Sequence, residues 1–342
     1  MEHIAIDLGR RESQICVRDE TGQILEEIRY ATSELRSYLS RRPTGSRVLV
    51  ETSAEAFTVA DWASELGHEP TVVPSLLVPA LGIGERGLKN DVRDARKLSE
   101  MDCRMAVPSV HIPSAERRAH QARLTAREAL VRVRTKLINT VRSFVRMRAI
   151  APIRATPPTL PRAVRAALLH TPEGVPEYLE ALLGSLEHLN AQIQQADRAL
   201  HEVAHGEPVC RLLMTMPGVG PVTALSFVCA IDDVTRFEDS SRLTSYLGLV
   251  PGERTTGFKT RRTGMTKAGP SRVRWTLTQA AWTLVRVQPD SPLGQWYQQV
   301  SKRRGKKVAI SGLSRRMAAI LYAMWREQRP YDATRAASGV FF

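Results

Sequence analysis

Eight apolar residues, Leu179, Leu182, Leu186, Leu189, Ile193, Ala196, Leu200 and Val203, recur at alternating steps of three and four. Only an α-helix gathers such a set into one stripe, and the alternation over more than three heptads is the seam of a coiled coil. At a rise of about 1.5 Å per residue the seam runs about 36 Å and needs a partner of similar length. That partner is either the same segment of a second subunit or an earlier helix of this chain, and the length favours dimerisation. An earlier helix is available. Glu116 to Arg148 is strongly helical and basic, with a predicted buried stripe of Leu130, Val133, Leu137, Val141 and Phe144. A proline-rich break, Pro152 to Pro161, separates the two helices.

Before these helices the pattern changes period. Ile4 and Ile6 alternate with other residues into Asp7, Ile15 and Val17 alternate again, and Ile24 to Ile28 returns after a turn at Asp19-Glu20-Thr21-Gly22. Helix and strand signals then alternate to about Val73. This order predicts a mixed α/β, ribonuclease-H-like sheet. With 342 residues there is room for two or three domains: a sheet domain over 1–112, a basic helix and coiled coil over 113–206, and a mainly α domain over 207–342.

Charge narrows the function. Of a net +14, the stretch from Pro251 to Phe342 carries the whole excess, with eighteen basic and four acidic residues. A field so concentrated attracts polyanions and displaces counterions from a phosphate backbone, which points to nucleic acid. No apolar run is long enough to span a bilayer, and MEHIAIDLGR lacks the layout of a signal peptide. The four scattered cysteines form no C-x-x-C pair and read as reduced thiols. The expectation is a cytoplasmic, nucleoid-associated protein with no membrane partner.

Four carboxylates stand where burial is expensive without a cation. Asp7 closes the first strand and Glu51 closes Val-Leu-Val-Glu, while Asp91 and Asp94 sit three apart at the start of a helix. Such an oxygen set suits Mg²⁺, with Mn²⁺ as the alternative, in phosphodiester displacement. Taken singly, Asp7 also fits a turn and Asp91 a helix N-cap. His201 and His205, one turn apart without a third ligand, read as the end of a helix.

The C-terminal third holds glycine motifs. Met216-Pro-Gly-Val-Gly-Pro predicts a helix-hairpin-helix, with Gly218 and Gly220 opening the backbone to a phosphate. Further on, Tyr246-x-Gly248-Leu249-x-Pro251, Thr256-Gly257 and Gly264-x-Thr266-Lys267-x-Gly269 predict a loop closing over phosphate. Candidate DNA-contacting residues are Gly218, Gly220, Arg254, Lys259, Arg261, Arg262, Lys267, Arg272 and Arg274. The run Lys302 to Lys307 is solvated or phosphate-contacting.

Taken together with Asp7, Glu51, Asp91-x-x-Asp94-Ala95 and Arg274, these motifs resemble the transposases of the insertion sequence 110 and 1111 family from end to end. The resemblance implies a RuvC-like N-terminal domain whose four acids bind magnesium, a coiled coil and a C-terminal transposase domain. It also implies a serine nucleophile forming a covalent phosphoserine, acid and serine sites joined between subunits of a tetramer, and an element-encoded guide RNA. Homodimer and homotetramer stay open. Where the family has Ser-Gly, this chain has Thr256-Gly257. The first reading is that Thr256 is the nucleophile, the second that Thr255 or another hydroxyl replaces it, and the third that catalysis is impaired. Pro270, standing where the family has a polar residue, fits a first helical turn. Two other functions compete with an active recombinase: a transposase-derived nucleic-acid-binding protein, and a RuvC-like junction nuclease that uses activated water.

Overall fold

The computed structural model of the chain describes residues 1–75, 91–169, 171, 172, 174–256 and 259–338; the side chains of 254–256, 259–262 and 336–338 lie outside that description. The chain divides into two compact units, Met1–Pro113 and Ser114–Phe342. A mixed α/β N-terminal part is followed by a mainly helical one.

The first unit contains β1 (His3–Asp7), β2 (Glu12–Arg18), β3 (Ile24–Ala31), α1 (Leu35–Leu39), β4 (Arg47–Glu51), α2 (Ala56–Glu65), β5 (Glu69–Val73) and α3 (Asp91–Arg104). Its sheet has the order β3-β2-β1-β4-β5, antiparallel from β3 to β1 and parallel from β1 to β5. Alternating side chains divide the strands between two faces. Ile4, Ile6, Ile15, Val17, Val48 and Val50 pack with Leu35 and Leu39 of α1 and Val59 and Ala63 of α2. On the opposite face Ala5, Leu49 and Val73 pack with Leu98 of α3 and Val107.

The second unit begins with α4 (Ala115–Met147), α5 (Leu160–Leu168) and α6 (Glu177–Gly206). Ser114 caps α4 through the Arg117 amide. The seam of α6 folds against α4 of the same chain: Ile138, Val141 and Val145 share a core with Leu179, Leu183 and Leu186, closed by Leu160, Val164 and Leu168 of α5. The predicted stripe on α4 needs one correction. Val133 is 49% exposed, and the buried line runs through Leu124, Ile138, Val141 and Val145. A straight helix turns 100° per residue, so a 3-4 count begun at Leu130 drifts off the buried line.

Further along come α7 (Pro208–Leu213), α8 (Pro221–Ile231), α9 (Ser240–Tyr246), β6 (Pro251–Thr256), β7 (Lys259–Met265), α10 (Ser271–Val287), α11 (Pro292–Arg304), α12 (Lys306–Glu327) and α13 (Ala333–Ser338). Helix α8 is buried from Thr223 to Cys229 and at Ile231, with Phe227 fully enclosed. A helix apolar on every side belongs at the centre of its unit. Leu124 of α4 and Leu200 and Ala204 of α6 join the same core. The predicted loop after Pro251 is instead an antiparallel hairpin, in which Glu253 pairs with Arg262 and Thr256 with Lys259. Among the described residues no helix is long and apolar enough to cross a membrane.

Candidate functional site

Strand alternation fixes the direction of two of the four acids. His3, Ala5 and Asp7 share a face of β1, as do Arg47, Leu49 and Glu51 of β4, and Ala5 and Leu49 pack on the α3 side. Because β1 and β4 run parallel and in register, Asp7 and Glu51 come to the same end of that face.

Helix α3 delivers the other two, and a buried ionic staple sets its direction. At its far end Asp102 accepts hydrogen bonds from Arg47 Nε at 2.8 Å and Nη2 at 2.7 Å, and lies 2.6 Å from His3 Nδ1. His3 and Arg47 begin β1 and β4, so α3 runs antiparallel to both strands. Asp94 lies eight residues before Asp102, about 12 Å of helix. Asp7 lies four residues after His3, about 13 Å of strand. Asp94 is therefore level with Asp7 and Glu51, and Asp91 stands one turn beyond. Its side chain borders a surface cleft with Arg11, Glu12, Gln14 and Arg29, and Gln14 is the register partner of Asp7. Asp7, Glu51 and Asp94 are half-buried and Asp91 is exposed. All four share one end and one face of the sheet. Oxygen donors are the ligand type a hard divalent cation takes, although no three of these acids bring their ligand atoms within 4.8 Å of one another.

The second predicted site lies on the β6–β7 hairpin. Thr256 is the last residue of β6 and Lys259 the first of β7; Gly257 lies outside the described residues, as do the side chains of Arg254, Thr256, Lys259, Arg261 and Arg262. The base of the hairpin is well defined. Gly248 and Gly269 have φ of +67° and +74°, and a Cβ at either would meet a carbonyl oxygen, of Ala268 or Tyr246, at 2.0 Å. Arg274 of α10 spans this crossing, its Nη1 donating to the carbonyls of Leu247, Ala268 and Gly269 at 3.1, 2.7 and 2.9 Å. The motif glycines and Arg274 thus form a clasp between two backbone segments.

Comparison with known proteins gives matches along both parts of the chain. A DEDD transposase family model of IS110 elements matches residues 4–148, and the model described as "Transposase IS116/IS110/IS902 family" matches residues 210–294. The transposase for insertion sequence element IS1328 of Yersinia enterocolitica is 27% identical over 94% of this chain and 96% of its own. The transposase for IS1111A of Coxiella burnetii is 24% identical over 96% and 90%. A Sinorhizobium fredii protein, y4qE, described as a transposase, is 30% identical over 77% and 71%.

The chain belongs to the IS110/IS1111 family of transposases.

Transposases cut and join DNA, and the candidate DNA-contacting residues of this one fall into distinct positions. Lys267 is exposed at the clasp, with φ of +56°. Arg272 donates to Glu128 at 2.9 Å and to Thr125 at 2.7 Å, both on α4, and Arg274 is engaged with carbonyls. Gly218 turns inward: at φ +84° a Cβ there would meet the Ala280 carbonyl oxygen at 2.4 Å. Gly220 caps α8 with open space beside it. His201 and His205 stack with ring centroids 4.1 Å apart, exposed near the end of α6.

Sequence reasoning missed the Asp102–His3–Arg47 staple that orients the transposase's acidic helix. The signal available was an ionisable residue eight positions beyond Asp94, on the same helical face. The clasping role of Arg274 had no local signal, because its acceptors are main-chain oxygens brought together by folding.

Proposed function

We propose that this transposase is a metal-dependent recombinase that cuts and rejoins DNA through the hydroxyl of Thr256. The observation that carries the reading is the placement of Asp7, Glu51, Asp91 and Asp94 at one end and face of the sheet. The strand order, with β1 central and parallel to β4, supports a RuvC-like assignment of 1–112. Residues 113–206 form the helical connector, and 207–342 form the transposase domain, with α7 and α8 as its helix-hairpin-helix.

Asp7, Glu51, Asp91 and Asp94 would hold Mg²⁺ or Mn²⁺, which would supply charge stabilisation to phosphodiester displacement. Thr256 gives up its hydroxyl proton to water as its Oγ bonds to phosphorus. The bond from phosphorus to the leaving strand's oxygen breaks, and that oxygen takes up a proton from water. The covalent phosphothreonine keeps the phosphodiester energy, so attack by another strand's hydroxyl reverses the step and joins new ends. Arg274, Gly248 and Gly269 hold the hairpin base that presents Thr256. Arg254, Lys259, Arg261, Arg262 and Lys267 contact DNA phosphates, and Gly218, Gly220 and Arg272 shape the adjoining surface. The exposed cations of α4 suit the backbone of a structured noncoding guide RNA. A homodimer or homotetramer brings acids and hydroxyl to one DNA strand.

The test is formation of circular element junctions in cells carrying the full element. Native protein is expected to form them and Thr256→Ala and Asp91→Ala to abolish them, while Thr256→Ser retains them. A protein–DNA adduct should survive denaturation with native protein and be absent with Thr256→Ala. Cleavage with free ends and no adduct would favour a junction nuclease. Junctions formed only by Thr256→Ser would mark the native chain as a DNA-binding protein with an impaired nucleophile.

A further inference from the structure

The first turns of α4 and the joint between α6 and α7 hold a second group of ligand-type side chains, within the second unit. Glu116, His120 and Glu207 each offer one ligand atom, and these atoms lie within 4.8 Å of one another. Glu116 and His120 are four residues apart on α4 and so lie on the same face. Glu207 follows the last residue of α6 and precedes Pro208, which holds it extended at φ −82°, ψ 117°.

A second observation sets this group apart from an ordinary surface cluster. His120 is only 7% exposed, and its Nδ1 has no hydrogen-bond partner. Buried imidazole nitrogens are normally satisfied, and one left unsatisfied on a residue grouped with two carboxylates has the lone-pair chemistry of a ligand. Burial, followed by the charge of Arg123, holds the ring below its usual pKa. Metal binding takes the neutral imidazole.

We propose that Glu116, His120 and Glu207 form a site for a divalent transition-metal ion of the Zn²⁺ class, separate from the four-acid site. A neutral imidazole and two carboxylates balance a dication, and the imidazole nitrogen selects against Mg²⁺ and Ca²⁺. Arg117 pairs with Glu207 through one carboxylate oxygen and also approaches Asp232 at 3.6 Å. The other oxygen of Glu207 remains for the metal. The ion would tie the start of α4 to the α6–α7 joint, two elements separated by 87 positions between His120 and Glu207.

The experiment is Zn²⁺ binding to the full-length protein after chelator treatment, read by metal content after gel filtration and by thermal unfolding. One equivalent is expected to remain bound and raise Tm, because a ligand bound only by the native state stabilises it. Glu116→Gln, an exposed substitution that leaves the core untouched, should weaken binding by at least about tenfold and reduce the Tm rise. His120→Ala should lose the bound equivalent, and Asp91→Ala should keep it. Co²⁺ in place of Zn²⁺ should give visible d–d absorption that Glu116→Gln alters. Parent affinity in both Glu116→Gln and His120→Ala, or a bound equivalent lost only in Asp91→Ala, would overturn the proposal.

Discussion

Asp102 shows how one side chain governs the geometry of a distant site. Its carboxylate has no exposed surface and is held by His3 and by Arg47, whose hydrogen bonds to it, and then its charge, raise the guanidinium above its ordinary range. Removing one partner of a buried ionic group leaves the other charges uncompensated, at a cost of about 3–5 kcal/mol. Asp102→Ala should therefore lower the urea midpoint by that equivalent, whereas Asp102→Asn, which keeps an acceptor, should cost less. Both should reduce junction formation beyond the change in stability, since the staple sets the level of Asp91 and Asp94 against Asp7 and Glu51. A junction yield that tracks only the folded fraction would limit Asp102 to stability. The cysteines give a second prediction at this scale. Burial pushes Cys210 and Cys229 up to about 12, so at pH 8 only about one thiol in ten thousand is thiolate. Cys103 is half-buried and less displaced. A disulfide reagent should label Cys103 first in the native protein and reach Cys210 and Cys229 only on unfolding; rapid labelling of either would place it at a mobile surface.

Helix α6 and the β6–β7 hairpin mark the two extremes of legibility among the elements. The seam of α6 was readable because its period is a property of the chain alone, and Leu179, Leu186, Ile193 and Leu200 are buried as the spacing requires. Its partner was not readable, since any apolar helix of similar length satisfies the same seam; α4 of the same chain occupies it. Leu186→Ala should cost about 2–5 kcal/mol, with a midpoint independent of protein concentration. A concentration-dependent midpoint would assign part of the seam to a second subunit. Val133→Lys, on the exposed side of α4, should change stability by about 0.5 kcal/mol or less. Strands β1 and β4 with their terminal acids were equally legible, because alternation and a closing carboxylate lie within five residues. The hairpin was not, because Glu253-Arg-Thr-Thr and Lys259-Thr-Arg-Arg carry no apolar alternation that would announce a strand pair. Nor did the motif glycines disclose that they make room for each other's segments. Gly269→Ala places a Cβ 2.0 Å from the Tyr246 carbonyl and should abolish junction formation while far-UV circular dichroism stays native. Retained activity would show that the clasp does not set the position of Thr256.

Across the whole molecule, the charge asymmetry meets the structure most directly at the turn between α11 and α12. Lys302, Arg303 and Arg304 end α11, Gly305 turns the chain at φ +83°, and Lys306 and Lys307 open α12, with all five cations exposed. Cations in the last turn of α11 complement its dipole, but those in the first turn of α12 oppose theirs. Helix α12 has no side-chain cap, and among the described residues none of the five cations has an ion pair. A cluster so unfavourable to its own helix is consistent with an external anion, and DNA is the anion a transposase meets. Replacing Lys302, Arg303, Lys306 and Lys307 by Gln should therefore weaken DNA binding similarly on element and unrelated sequences. It should also flatten the plot of log affinity against log salt by about 0.9 for each phosphate no longer neutralised, up to about 3.6 for four. Steep salt dependence alone separates no hypothesis here, because any basic DNA-binding protein has it; the change in slope does. An unaltered slope with unaltered affinity would mean that the turn is a solvated face and that DNA is gripped elsewhere, with the hairpin cations as the next set to vary.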